Sequence, residues 1–209
     1  MLIGYARVST TDQTLALQQD TLQQAGCSKI FTDTASGALA ERKGLADVFA
    51  AMRLLDRSDV ELIVMGAPLV PMEFYRREFP RFIHEPPRSH ARVLALMETC
   101  DALVLPSIVE GRALVQQEAL SRGLPLIVTA NAGGEDLIAP GETGWLVPMR
   151  DPAALAERIA WLADHREVLP EMQRAAQRMA IARTWDDYTR KIIAALDAPP
   201  PAELAYALA

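Results

Sequence analysis

The sequence predicts an α/β fold, a mainly parallel sheet flanked by helices, and three observations between Asp101 and Pro148 predict it. Two short apolar runs bounded by turn residues, Ala102 to Pro106 and Pro125 to Thr129, read as strands buried on both faces. The stretch between them, Ala113 to Arg122, reads as a helix and makes a βαβ unit. A glycine-rich turn, a helix start at Glu135 and a closing strand from Trp145 to Val147 continue the alternation. In such a sheet the loops at the carboxyl ends of adjacent strands hold the ligand. Here those loops are "SIVEGR" and "ANAGGED".

The loops offer a defined chemistry. Glu110 and Glu118 have seven residues between them, about two helical turns, which predicts that they share a face. Two carboxylates at that pitch suit the hydroxyls of one extended ligand. Asn131, Gly133 and Gly134 stand before the expected helix, where unpaired backbone N–H groups and the helix dipole favour an anion such as phosphate. Hydroxyls with phosphates beside them describe a nucleotide sugar.

Taken in order, the chain opens with the strand "LIGYARVS". An amphipathic helix follows, with Asp12 near its start and Gly26 as its stop, and then the strand "KIFTDT". "GALAERKG" forms a turn, Leu45 to Leu55 a helix and Val60 to Gly66 a strand. A proline-rich loop, the strand and turn "RFIHEPP" and a helix from Ser89 to Cys100 lead to the central unit. Asp151 to Leu196 reads as helical, with Pro152 at a helix start and Leu155, Ile159 and Leu162 on one face. Trp185 and Tyr188 read as packing residues, and Asp197 to Ala209, with its "APPP", as a disordered tail.

Composition narrows the classes. The chain has 209 residues, half of them hydrophobic, enough for a real core, but no apolar run approaches the ~20 residues of a membrane span. The start "MLIGYARVSTTDQ" lacks the basic-then-apolar pattern of a signal peptide. Cys27 and Cys100 are isolated and make neither a metal spacing nor an expected disulfide, so the expected compartment is the cytoplasm. A net charge of −6 argues against nucleic acid as the main partner. One basic segment, residues 76–92, carries five arginines against two glutamates; it reads as a solvated loop, with a peripheral acidic-membrane contact as the functional alternative.

"LPSIVEGRALVQQEALSRGLPLIVTANAGGEDLIAPGETGWLVP" resembles the donor-binding lobe of group 1, or family 4, retaining glycosyltransferases of the two-lobed GT-B fold, over about residues 37–196. The resemblance implies a Rossmann-like C-terminal lobe that binds a nucleotide-diphospho sugar, such as a UDP- or GDP-sugar, without a metal or further cofactor. It implies that Glu110 and Gly111 lie by the donor sugar, Glu110 as the catalytic candidate, and that Glu118 holds the ribose. The amides near Asn131, Gly133 and Gly134 would face the sugar and diphosphate. Arg42 and Lys43, in "G-x-L-x-x-R-K-G", would point at the departing diphosphate, cations meeting an anion. Where the family often has an aromatic residue and glycine, this chain has Arg112 and Ala113.

"YARVSTTDQ" followed by "LQQDTLQQAGCSKIFTDTASG" closely resembles serine recombinases of the resolvase and invertase type, over about residues 1–44. That resemblance implies Ser9 as the nucleophile on a DNA phosphodiester, with Arg7 and Arg42 holding the phosphate and Gln13 completing the motif. Arginine's planar fork suits phosphate oxygens. Yet residues 1–44 carry four basic and four acidic residues, so they have no electrostatic footprint for DNA. No later basic helix-turn-helix is read.

The expected organisation is a recombinase fragment at 1–40, a donor-binding lobe at 41–196 and a tail at 197–209, with the seam between Ser36 and Leu45. "KIFTDT" is expected to stand in for the opening strand of the donor lobe, beside Leu62 to Gly66. Residues 1–44 cannot build an acceptor lobe, which takes ~150 residues. The expected function is nucleotide-sugar binding with weak or absent transfer, the acceptor lobe coming in trans. The alternatives are a recombinase fragment and an inert fusion product.

Overall fold

The computed structural model describes residues 3–8, 29–34, 43–108 and 110–197. The chain divides into two compact units, Met1–Arg42 with Pro68–Met72, and Lys43–Ala67 with Glu73–Ala209. Ser9, Gln13, Cys27, Arg42, the helix expected between Asp12 and Gly26, and the tail from residue 198 lie outside the described residues.

In the first unit, β1 (Ile3–Val8) pairs in parallel with β2 (Lys29–Thr34), from Ile3 opposite Lys29 to Val8 opposite Thr34. β2 therefore ladders with β1 in a sheet of two strands, and not with the strand at Leu62 as the sequence suggested. Both strands are six residues long and match rung for rung, whereas the strand at Leu62 is four residues long and has its own partner.

The second unit opens with α1 (Lys43–Leu55), then β3 (Leu62–Met65), α2 (Met72–Glu78) and β4 (Phe82–Glu85), which runs parallel to β3. α2 interrupts the expected proline-rich loop. It has Glu73 in its first turn, Arg76 and Arg77 in its last, as the helix dipole favours, and Tyr75 buried. Phe49 of α1 stacks on Phe79 and packs against Phe82, at centroid distances of 5.9 and 5.2 Å. α3 (His90–Met97) leads to a three-stranded parallel sheet of β5 (Leu103–Leu105), β6 (Leu126–Thr129) and β7 (Gly144–Val147). α4 (Val115–Ser121) crosses from β5 to β6. The helix expected at Glu135 is a single 3-10 turn, Glu135–Leu137. Ile138 is already extended, and Pro140 cannot supply the amide that a longer helix would need.

The C-terminal helical region is three helices, α5 (Pro152–Asp164), α6 (Leu169–Ile181) and α7 (Trp185–Asp197). Asp151 caps α5 by accepting from the Ala154 amide at 3.0 Å, and Pro152 takes the first helical position. Of the two residues expected to pack, Tyr188 of α7 is 57% exposed, and the side chain of Trp185 lies outside the described residues.

β6 is the centre of the core. Leu126, Ile127 and Val128 are all fully buried, and their side chains alternate between two clusters. Ile127 joins Trp145, Val147, Leu155, Leu162 and Met172. Leu126 and Val128 join Met97, Ala119, Leu120, Leu124 and Leu137 on the other face. Each such burial contributes about 1.5–3 kcal/mol. β7 has one wet face, since Leu146 is exposed between buried Trp145 and Val147. Among the described residues no helix is long and apolar enough to cross a membrane.

Candidate functional site

β5 and β6 pair in parallel from Leu103 opposite Leu126 to Leu105 opposite Val128, so the chain leaves both at one sheet edge. The two loops there are tied together. The Glu110 amide donates to Asn131 O at 3.0 Å and the Ala113 amide to Ala132 O at 3.2 Å. Thr129 Oγ1 donates to Ser107 O at 2.5 Å. Gly133 has φ +67°, and a Cβ there would come within 2.0 Å of Gly111 O, so only glycine serves both the left-handed turn and the close approach.

Glu110 is exposed, and Ser107 Oγ donates to its Oε2 at 3.0 Å. Glu118 lies in the first turn of α4, its side chain one-third exposed (33%), with His90 Nε2 3.1 Å from its Oε1. The two acids do not share one helix face. α4 starts at Val115, so Glu110 precedes the helix and is set by the loop bond to Asn131. Val109 lies outside the described residues.

Lys43 opens α1 at the same edge, for a Cβ on Gly44 would meet Pro106 O at 2.5 Å. The start of α1 thus abuts the end of β5. Arg7 lies in the other unit, on β1 opposite Asp33.

Four side chains, and the Asp136 carboxylate that two of them hold, received no site role from the sequence. Gln116 is fully buried, and its Nε2 donates to Ala132 O at 2.7 Å. Arg112 spans the two loops, donating to Asp136 Oδ1 and Oδ2 at 2.9 and 3.3 Å and to Gly133 O at 3.4 Å. Arg183 reaches the same carboxylate, at 3.2 Å. Arg112, and after it Arg183, hold the Asp136 carboxyl below its ordinary pKa, with partial burial opposing them. His90 is the fourth. The departure at Arg112 from the usual aromatic residue was the available signal; a glutamine within an apolar helix face was another.

The basic segment at 76–92 is largely engaged within the protein. Arg76 donates to Pro80 O at 2.8 Å and lies over the Phe82 ring at 4.1 Å, Arg81 pairs with Asp56 at 2.6 Å, and Arg88 donates to Glu85 at 2.8 Å. Among the described residues no group of three or more His, Cys, Asp or Glu has the arrangement to hold a metal.

The family described as Glycosyl transferases group 1 matches residues 34–179. The family described as Resolvase, N terminal domain matches residues 2–65. A D-inositol 3-phosphate glycosyltransferase of Corynebacterium efficiens is 30% identical over 152 residues, 66% of this chain and 35% of that one. A DNA-invertase of Escherichia phage P1 is 52% identical over 63 residues, 30% of this chain and 32% of that one. This chain therefore spans about a third of the length of these curated relatives. Among solved structures, Anabaena HepE in complex with UDP-glucose superposes with a TM-score of 0.61 at 20% identity, over 85% of this chain and 50% of that one.

The two family matches overlap over residues 34–65. That overlap covers α1 and β3, which the sequence reading had given to the glycosyltransferase frame alone. A strand, turn, helix and strand of this length suits the opening of either fold. Its first 65 residues carry a resolvase N-terminal domain match, and by the match that takes in most of its length the chain belongs to the group 1 glycosyltransferases.

Proposed function

We propose that residues 43–197 bind a nucleotide-diphospho sugar as the donor lobe of a retaining glycosyltransferase. The observation that carries this is the seating of Gly133 against Gly111 together with the Glu110–Asn131 hydrogen bond, which makes one cradle of two loops. In this reading Glu110 lies beside the donor sugar and Glu118 accepts from the ribose hydroxyls. The turn at Asn131, Gly133 and Gly134 receives the diphosphate, although the Gly133 amide, expected to be unpaired, already donates to Ala130 O at 3.0 Å. Lys43, with Arg42 before it, neutralises the charge that grows on the nucleoside diphosphate as the glycosidic bond breaks, which is where electrostatic stabilisation lowers a barrier.

Transfer also needs an acceptor held in register and water kept out. The family resemblance assigns that work to a second lobe, so residues 1–209 by themselves are expected to bind donor and to transfer slowly or not at all. An acceptor lobe supplied in trans or by further chain would restore transfer.

Calorimetric titration with UDP and with GDP tests the reading, with Glu118→Ala and Lys43→Ala as controls. One nucleotide binding to wild type and more weakly to both variants supports it. No heat with either nucleotide contradicts it and leaves an inert fusion product.

The 52% identity to a DNA-invertase over 63 residues favours a second reading, in which Ser9 attacks a DNA phosphodiester held by Arg7 and Arg42. A gel shift with duplex DNA at physiological salt tests it. Retardation lost on Ser9→Ala or Arg7→Ala supports strand exchange, and no retardation removes it.

A further inference from the structure

The second loop rests on a buried carboxamide. Gln116 is fully buried, the second residue of α4, and its Nε2 donates to Ala132 O at 2.7 Å. Its Oε1 is buried and has no hydrogen-bond partner among the described residues. A Cβ on Gly134 would come within 1.9 Å of that oxygen, so the oxygen lies directly against the Gly134 backbone. The same side chain thus touches the residues on both sides of Gly133. A buried acceptor without a donor is disfavoured, and such groups concentrate where a site must be held in one shape.

We infer that Gln116 is a positioning residue for the diphosphate: it fixes the Ala132–Gly134 turn from below, so that the turn's outward face is already set when the anion arrives. This rests on the nucleotide-sugar reading and assigns Gln116 no contact with the ligand. The physical reason is preorganisation. Backbone amides bind an anion tightly only when they need not reorganise, and a glycine pair left to itself samples more conformations than any other dipeptide. Gln116 is itself fully buried on a helix whose Ala119 and Leu120 are also fully buried, and close packing of that kind restricts rotamer changes. Gly134 is then glycine because a Cβ there would strike the Gln116 carboxamide, and Gln116 gives Ala132 O a second donor beside the Ala113 amide.

The consequence is selective. Loss of the carboxamide should weaken recognition of phosphates and leave recognition of the nucleoside unchanged. A merely structural role would lower both together, through loss of folded protein.

The test is calorimetry of the full chain with UDP or GDP, whichever wild type binds, beside ligand-observed NMR with the matching nucleoside. Gln116→Met, similar in length, should weaken diphosphate binding about three- to tenfold, the scale of the ordinary hydrogen bond to Ala132 O that it removes, with nucleoside binding within about twofold. Gln116→Leu also removes the donor to Ala132 O and adds no polar group to the buried site. It should weaken the diphosphate to a similar extent, and it stands in if Gln116→Met fails to fold. Equal diphosphate binding by wild type and a folded variant overturns the inference alone, as does a parallel loss for diphosphate and nucleoside. A wild-type chain that binds neither nucleotide overturns the nucleotide-sugar reading and this inference with it.

Discussion

His90 Nε2 lies 3.1 Å from Glu118 Oε1, so the carboxylate proposed to hold the ribose is steadied from α3, 28 residues earlier in the chain. The imidazole is 68% exposed and carries little of the fold. His90→Ala should leave the melting temperature unchanged and weaken nucleoside diphosphate binding about three- to tenfold, the scale of one ordinary hydrogen bond. Calorimetry beside a thermal melt checks both halves. Unchanged affinity would show that Glu118 needs no steadying.

Gly133→Ala should be costly in a way that Gly141→Ala is not. Both have positive φ, but only at 133 would the new Cβ strike a backbone oxygen, Gly111 O at 2.0 Å; at 141 nothing lies within 4 Å. The left-handed conformation alone costs on the order of 1 kcal/mol, and the clash adds to it. Urea unfolding of the two variants should rank Gly133→Ala well below Gly141→Ala, and nucleotide binding should be lost in the first.

Asp136 ties the first loop to the second through Arg112 and ties both to Arg183 after α6. Its folded pKa is lowered, Arg112 being the largest cause. The sign follows: the stabilisation is present above the ordinary aspartate value of about 3.9 and is lost as pH falls through the lower folded value. Wild type should therefore melt above Asp136→Asn at pH ~7, and the gap should narrow as pH falls below the ordinary aspartate value of about 3.9. A constant gap across that range would mean that the ion pair contributes nothing.

Ile127→Ala should destabilise by about 2–5 kcal/mol, because a fully buried side chain on the central strand leaves a cavity against Trp145 and Met172. Leu146→Ala, on the exposed face of β7, should cost under about 1 kcal/mol. Denaturant unfolding compares them.

The central βαβ unit was legible because its apolar runs are short, continuous and bounded by turn residues; the ends of β5, α4, β6 and β7 shift by only one or two residues from the reading. α2 was hidden. "PMEFYRREFP" carries prolines at both ends and four charges within seven helical residues, and its buried member is Tyr75 alone. The placement of β2 was missed for a different reason. Strand length and the turn after it fitted two sheets equally, and pairing is decided by the partner's length and register, which local composition does not contain. Of the candidate site, the glycines and both acids were proposed from the sequence because their chemistry is local. Gln116, His90 and Asp136 could not, because each acts on residues 16 to 28 positions away along the chain. The pitch argument that joined Glu110 to Glu118 was wrong about helix geometry, although a loop-to-loop hydrogen bond places Glu110 at the same edge.

The most direct measurement is a crystal structure of the chain soaked with UDP-glucose and, separately, with GDP-mannose. The account predicts one of them with its diphosphate against Gly133 and Gly134, its ribose within hydrogen-bond reach of Glu118 and its sugar beside Glu110. Density for the nucleotide on any other surface, or for neither donor at saturating concentration, would contradict it.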